Sequence, residues 1–110
     1  MKVNKEKLLK NGYTKYNQPE DEPTLYQKKV KDKKGIKYFI NCYHYIYPKS
    51  SPVKDAWEFK LQTDTALGTV NITLFNTKCT IKIMEEFMER TWMNYGLNYY
   101  ELFVSQEKSE

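Results

Sequence analysis

The strongest constraint on this chain is a change of hydrophobic period near residue 80. Between residues 24 and 76 apolar side chains tend to fall at every second position, and from residue 81 they fall at every third or fourth. Side chains alternate across a strand but recur along one face of a helix every 3.6 residues, so the chain reads as strands followed by a helix.

Residues 24–30 and 36–47 are rich in β-branched and aromatic side chains and flank Asp32-Lys33-Lys34-Gly35. That arrangement predicts a hairpin closed by a type I turn, with Gly35 left-handed at a bulge. Residues 57–62 alternate, with Trp57, Phe59 and Leu61 on one face and Glu58, Lys60 and Gln62 on the other. Residues 69–76 repeat the pattern with Val70, Ile72 and Leu74 inward, giving a second hairpin through a loop that ends at Gly68. Residues 47–52 carry two prolines and join the hairpins.

The helix stripe is Ile81, Met84, Met88, Trp92 and Tyr95, widened by Phe87. Thr80 is its expected N-cap, Gly96 its stop with Leu97 as the following hydrophobic contact, and Glu85, Glu86 and Glu89 its outer face. At the other end, Asn4 caps a short helix that stops at Asn11-Gly12 and buries Leu8 and Leu9. Residues 17–24 hold two prolines and three acids and read as a connecting loop; residues 97–104 read as a short strand or docked tail, and 105–110 as a frayed tail. The expected fold is α+β: a four-stranded antiparallel meander of two hairpins, covered by one long C-terminal amphipathic helix, with a short N-terminal helix. All 110 residues are expected to form one domain.

Composition narrows the function. No segment has the apolar length of a secretory signal or of a membrane span, so the expected location is the cytoplasm. Cys42 and Cys79 are too few for a disulfide framework and read as free, buried thiols. Cys42 and His44 share a strand face and could pair as nucleophile and base, but no orienting group or oxyanion element accompanies them, so the pair reads as structural. One His and two distant Cys lack the spacing of a zinc site, Glu20-Asp21-Glu22 lacks a calcium-loop pattern, and the four glycines form no phosphate loop. Ser50-Ser51 sits in a proline-flanked loop without a nucleophile elbow. The expectation is a protein with no catalytic residues, cofactor or metal.

What remains is charge. The chain has 18 basic and 14 acidic residues, a net charge of +4, and Arg90 is the only arginine. The charge is uneven: residues 25–40 hold six lysines against Asp32, whereas residues 81–110 hold three cations against six acids. With Gly35 at a bulge, one side of the first hairpin carries Tyr26, Val30, Tyr38, Ile40 and Cys42. The other carries Leu25 with Lys29, Lys31, Lys37, Phe39, Tyr43, Tyr45 and Tyr47.

The last seven residues are the candidate binding site. Lysine interleaved with rings suits a protein interface, and it also suits a nucleotide or single-stranded nucleic acid that needs cations and stacking platforms. It is equally the pattern of an edge hairpin that uses lysine against aggregation. Base-specific readout of duplex DNA leans on arginine, which is nearly absent here. The charge asymmetry also suits a head-to-tail homo-oligomer or a partner with a charged groove.

Three stretches carry a resemblance: Leu-Leu-Lys-Asn-Gly-Tyr-Thr-Lys-Tyr at 8–16, Tyr-Gln-Lys-Lys-Val-Lys-Asp-Lys-Lys-Gly-Ile-Lys-Tyr-Phe-Ile at 26–40, and Met-Glu-Glu-Phe-Met-Glu-Arg-Thr-Trp at 84–92. In texture and element order they are similar to small phage and prophage accessory proteins of low-GC Gram-positive bacteria. The resemblance implies a protein of the host cytoplasm that binds a host protein, such as a component of a defence system, and inhibits or redirects it without catalysis. A nucleotide or single-stranded nucleic-acid binder is the alternative.

Overall fold

Asp32 builds the first hairpin. In the computed structural model, which describes residues 3–63, 72–75 and 80–97, its Oδ1 accepts the N–H groups of Lys34 and Ile36, both at 2.8 Å. Its backbone N–H donates to the Ile36 carbonyl at 2.9 Å while Gly35 N–H donates back at 3.1 Å. Gly35 has φ +86°, a left-handed conformation that suits a residue without Cβ. The turn therefore sets Val30 opposite Tyr38 and Lys28 opposite Ile40, the register expected from the sequence.

The paired strands are β2 (Thr24–Lys31) and β3 (Lys37–Ile46), after which β4 (Asp55–Thr63) and β5 (Ile72–Phe75) continue the antiparallel meander. A three-residue strand that sequence reading did not assign, β1 (Thr14–Tyr16), pairs with β2 at Leu25, Tyr26 and Gln27, so the sheet has five strands in chain order. All three residues of β1 are exposed, which leaves no apolar alternation to mark it. The 17–24 segment is the connecting loop expected, and it joins β1 to β2, whose first residue is Thr24. Gly68, Val70, Cys79 and the segments 98–104 and 105–110 lie outside the described residues.

The N-terminal helix α1 (Lys5–Lys10) is capped as expected, Asn4 Oδ1 accepting from Lys7 N–H at 2.9 Å. Leu8 is wholly buried, but Leu9 is 44% exposed: neighbours on a helix point about 100° apart, and this short helix touches the core with one side only. Leu8 joins Val3, Tyr13 and the helix-facing side of the sheet, where Tyr26, Tyr38, Ile40, Cys42, Trp57, Phe59 and Leu61 are buried.

Over that face lies α2 (Ile81–Thr91), capped by Thr80, whose Oγ1 accepts from Ile83 N–H at 3.2 Å. Ile81, Met84, Met88 and Trp92 are buried, as the stripe predicted. The end differs from expectation. After eleven α residues the helix widens into a five-residue π turn, Trp92–Gly96, with Leu97 N–H bonded five residues back to the Trp92 carbonyl. The covering helix is accordingly moderate in length.

A π turn takes up more residues per revolution, so the stripe slips: Gly96 and Leu97 are buried and Tyr95 is 70% exposed. Phe87, at the edge of the stripe, is 48% exposed. Gly96 is not a left-handed stop, since among the described residues the positive-φ glycines are Gly12 and Gly35. Its lack of a Cβ has another use, because an added Cβ would lie 3.0 Å from Trp92 Cζ3 and closer still to Cε3. The indole that lies there stacks on Tyr38, ring centroids 4.8 Å apart, and donates from Nε1 to Asp32 Oδ2 at 2.8 Å. Turn and helix are thereby tied at one point.

Candidate binding face

The helix covers one side of the sheet, so the alternation that buries Tyr38, Ile40 and Cys42 on β3 turns Phe39, Tyr43 and Tyr45 to the other. On that open side Lys31 stands directly opposite Lys37, and Lys29 opposite Phe39 with its Nζ 5.9 Å from the ring centroid. All three lysines are exposed and Phe39 is half-buried. Like charges opposite one another destabilise a strand pair by a few tenths of a kcal/mol, roughly. The tip of the hairpin therefore gains from an anionic neighbour.

Tyr43 and Tyr45 form a separate group, beginning about 13 Å along β3 from Phe39. Lys60 Nζ lies 5.3 Å from the Tyr43 centroid and 3.2 Å from Glu58 Oε1, and the Tyr45 hydroxyl donates to the same oxygen at 3.4 Å. The hydrogen bond to Glu58 raises the Lys60 pKa above its ordinary value against the opposing effect of burial. Burial, and then the Glu58 charge, raises that of Tyr45. Between the two groups runs a row of amides across three strands: Gln27 Nε2 donates to Asn41 Oδ1 at 2.9 Å, and Asn41 Nδ2 donates to Gln62 Oε1. Tyr47 lies one residue past β3, its N–H donating to the Lys54 carbonyl at 2.9 Å.

The structure thus gathers Lys29, Lys31, Lys37 and Phe39 at the hairpin tip, places Tyr43 and Tyr45 further along the same face, and leaves Tyr47 beyond the strand end. Sequence reading missed Gln27, Asn41, Glu58, Lys60 and Gln62 as members of this face. The alternation of β4 placed its three on an outer side, but only the register of Tyr43 opposite Glu58 and Asn41 opposite Lys60 brings them to the aromatic group.

Two other candidates resolve differently. Cys42 is wholly buried, and burial pushes its thiol far above the ordinary range. His44 Nε2 is 2.8 Å from Asp55 Oδ2, and its ring stacks on Trp57 at 3.8 Å and 4°. The imidazole is engaged by Asp55 and Trp57, and the thiol is held protonated. Among the described residues no three His, Cys, Asp or Glu side chains converge as a metal site.

Glu86 and Glu89 are exposed, as expected of the outer face, but Glu85 is half-buried. Because α2 lies over the sheet beside β2, Glu85 faces the lysine-rich hairpin. Lys28 Nζ pairs with Glu85 Oε2 at 2.7 Å, and Glu86 and Glu89 line the same cleft of about 620 Å³ between strand and helix. Part of the charge asymmetry read from the sequence is therefore met within the molecule. Comparisons of the chain with protein-family models, with curated proteins and with solved structures find no match.

Proposed function

We propose that this chain is a non-enzymatic binding protein whose open sheet face docks an acidic surface of a protein partner. The observation that carries this reading is the Lys31–Lys37 pair, exposed and directly opposed beside Lys29. A second feature favours protein over nucleic acid: Lys29 and Lys60 already lie over the Phe39 and Tyr43 rings, so bases would have to displace them to stack. By the phage-type resemblance the partner is a host protein, bound in order to block or redirect it.

The test is capture of a partner from host extract by wild type, by Lys31→Glu/Lys37→Glu and by Lys5→Glu on the exposed first turn of α1. The double variant keeps a like-charged pair opposed, so its fold stability should match the wild type while capture is lost; Lys5→Glu should capture normally. Equal capture by all three would refute the reading. Tight binding of an oligothymidylate that weakens steeply with salt, abolished by the double variant, would replace it with the nucleic-acid alternative.

A further inference from the structure

β1 pairs with β2 only at Leu25, Tyr26 and Gln27, so no described strand lies against the outer side of residues 28–31. Tyr13 and Gly12 lie against Lys28, so among the described residues the open stretch of this edge is 29–31, about 10 Å long. The backbone groups it presents follow from the hairpin. Asp32 turns its N–H and C=O toward β3, bonding Ile36 and Gly35. An antiparallel ladder alternates, so Val30 and Lys28 also bond toward β3, and Lys29 and Lys31 turn their N–H and C=O outward. Two donors and two acceptors line the edge, the usual template for an added strand.

The edge opens into the cleft between β2 and α2, whose volume of about 620 Å³ suits a short peptide. Val30, Tyr38, Ile40 and Trp92 supply apolar lining, Lys82 and Glu89 stand on the helix side, and Glu85 is paired with Lys28. The long Lys29 and Lys31 side chains belong to the opposite, open face. The two sides of the edge thus differ in chemistry: basic on the open face, and toward the helix an apolar floor among charges of both signs.

We infer that an extended segment of the partner adds to the sheet along residues 29–31 as an antiparallel strand, with acidic residues opposite Lys29 and Lys31 and an apolar residue between them. Residues opposed across an antiparallel pair share a face, so the acidic positions meet the two lysines. The intervening position, opposite Val30, turns toward Tyr38 and Trp92. A uniformly acidic strand is disfavoured there, because the carboxylate opposite Val30 would turn onto the apolar lining of Val30, Tyr38 and Trp92. Alternation, not net charge, is what the edge selects, and main-chain bonding with alternate side-chain recognition is an established mode of peptide capture. The inference rests on the docking reading above and gives its acidic surface a definite form.

The experiment titrates the full chain, ¹⁵N-labelled, with the peptide acetyl-Val-Glu-Val-Glu-Val-amide, and measures amide shifts and hydrogen-exchange protection. Protection of the Lys29 and Lys31 amides is expected. N-methylation of both glutamates, whose N–H groups face β2, should weaken binding by about tenfold or more, whereas N-methylation of the central valine should leave it nearly unchanged. Acetyl-pentaglutamyl-amide should bind more weakly than the alternating peptide.

Stronger binding by pentaglutamate, indifference to N-methylation, or no protection at Lys29 and Lys31 with millimolar peptide would each overturn edge pairing. If that happens while Lys31→Glu/Lys37→Glu still abolishes partner capture, the open-face reading stands without the added strand. If capture is also unaffected, both fall.

Discussion

Asp32→Ala and Trp92→Phe, made singly and together, measure how strongly the hairpin turn and the covering helix hold each other. The bond between them is 2.8 Å long and joins a wholly buried indole to a carboxylate. Hydrogen bonds to charged groups contribute about 1.5–3 kcal/mol, and because Asp32 is only half-buried the lower end applies, about 1.5 kcal/mol. Asp32→Ala also removes the acceptor of the Lys34 and Ile36 amides, each worth about 1 kcal/mol, for a total of about 3–4 kcal/mol. In a chain of this size that lowers the melting temperature by more than about 10 °C. Trp92→Phe keeps an aromatic ring to stack on Tyr38 and loses the donor.

Urea unfolding at neutral pH, followed by far-ultraviolet circular dichroism so that no tryptophan signal is needed, gives the four stabilities of the cycle. The expected coupling is about 1.5 kcal/mol, and a value within about 0.5 kcal/mol of zero would refute the linkage. The pH dependence gives a second reading. Burial pushes the Asp32 carboxyl up, but the bonds from Trp92, Ile36, Lys34 and Gly35 outweigh it and hold the carboxyl below its ordinary value of 3.8. A depressed carboxyl contributes its full stability above that ordinary value and loses it as the pH falls through the folded one. The deficit of Asp32→Ala should therefore be full at neutrality and shrink in acid below 3.8.

Gly96→Ala places a methyl group against the Trp92 ring and should cost about 1–3 kcal/mol in urea unfolding; an unchanged midpoint would show that the ring moves freely aside. Cys42 should resist iodoacetamide in the native protein and react once urea unfolds it, read by mass spectrometry of the peptide that contains it; rapid native labelling would contradict the burial described for its thiol. Burial, reinforced by Glu89, Asp32 and Glu85, pushes Tyr38 from its ordinary 10.0 up to about 12. Its neutral form is the one the fold favours, so that contribution is full below 10.0 and lost as the pH rises through 12; Tyr38→Phe should flatten the alkaline loss seen in a stability-versus-pH series.

The sequence exposed this fold where local chemistry and periodicity agree. Asp32 and Gly35 specify one hairpin geometry, and with it the register and the sorting of Lys29, Lys31, Lys37 and Phe39 to one face. Asn4 and Thr80 declare their helices because a side-chain oxygen must satisfy a terminal N–H. The misses have equally local causes. β1 has no buried side to betray it, and the π turn moves Tyr95 outward through a backbone change that a fixed 3.6-residue period cannot anticipate. Glu85 looked like solvent-facing charge because nothing in one helix indicates which neighbour lies along its flank. The binding face was legible within the hairpin, but Glu58, Lys60 and Gln62 enter it through a strand whose register no single segment reveals.

The amide row has a bearing on what the open face can tolerate. Gln27 and Gln62 each use Asn41 as a partner, and Asn41, 1% exposed, is satisfied from both sides within the protein. A polar group covered by a partner normally has to exchange its water for a new bond or suffer the loss of about 1–3 kcal/mol. These amides have made much of that exchange during folding. A partner can therefore lay plain apolar surface over the centre of the face at little dehydration penalty and keep its own polar groups for the lysines at the rim. Polar by composition, the middle of this sheet has at Asn41 a group that is already dry.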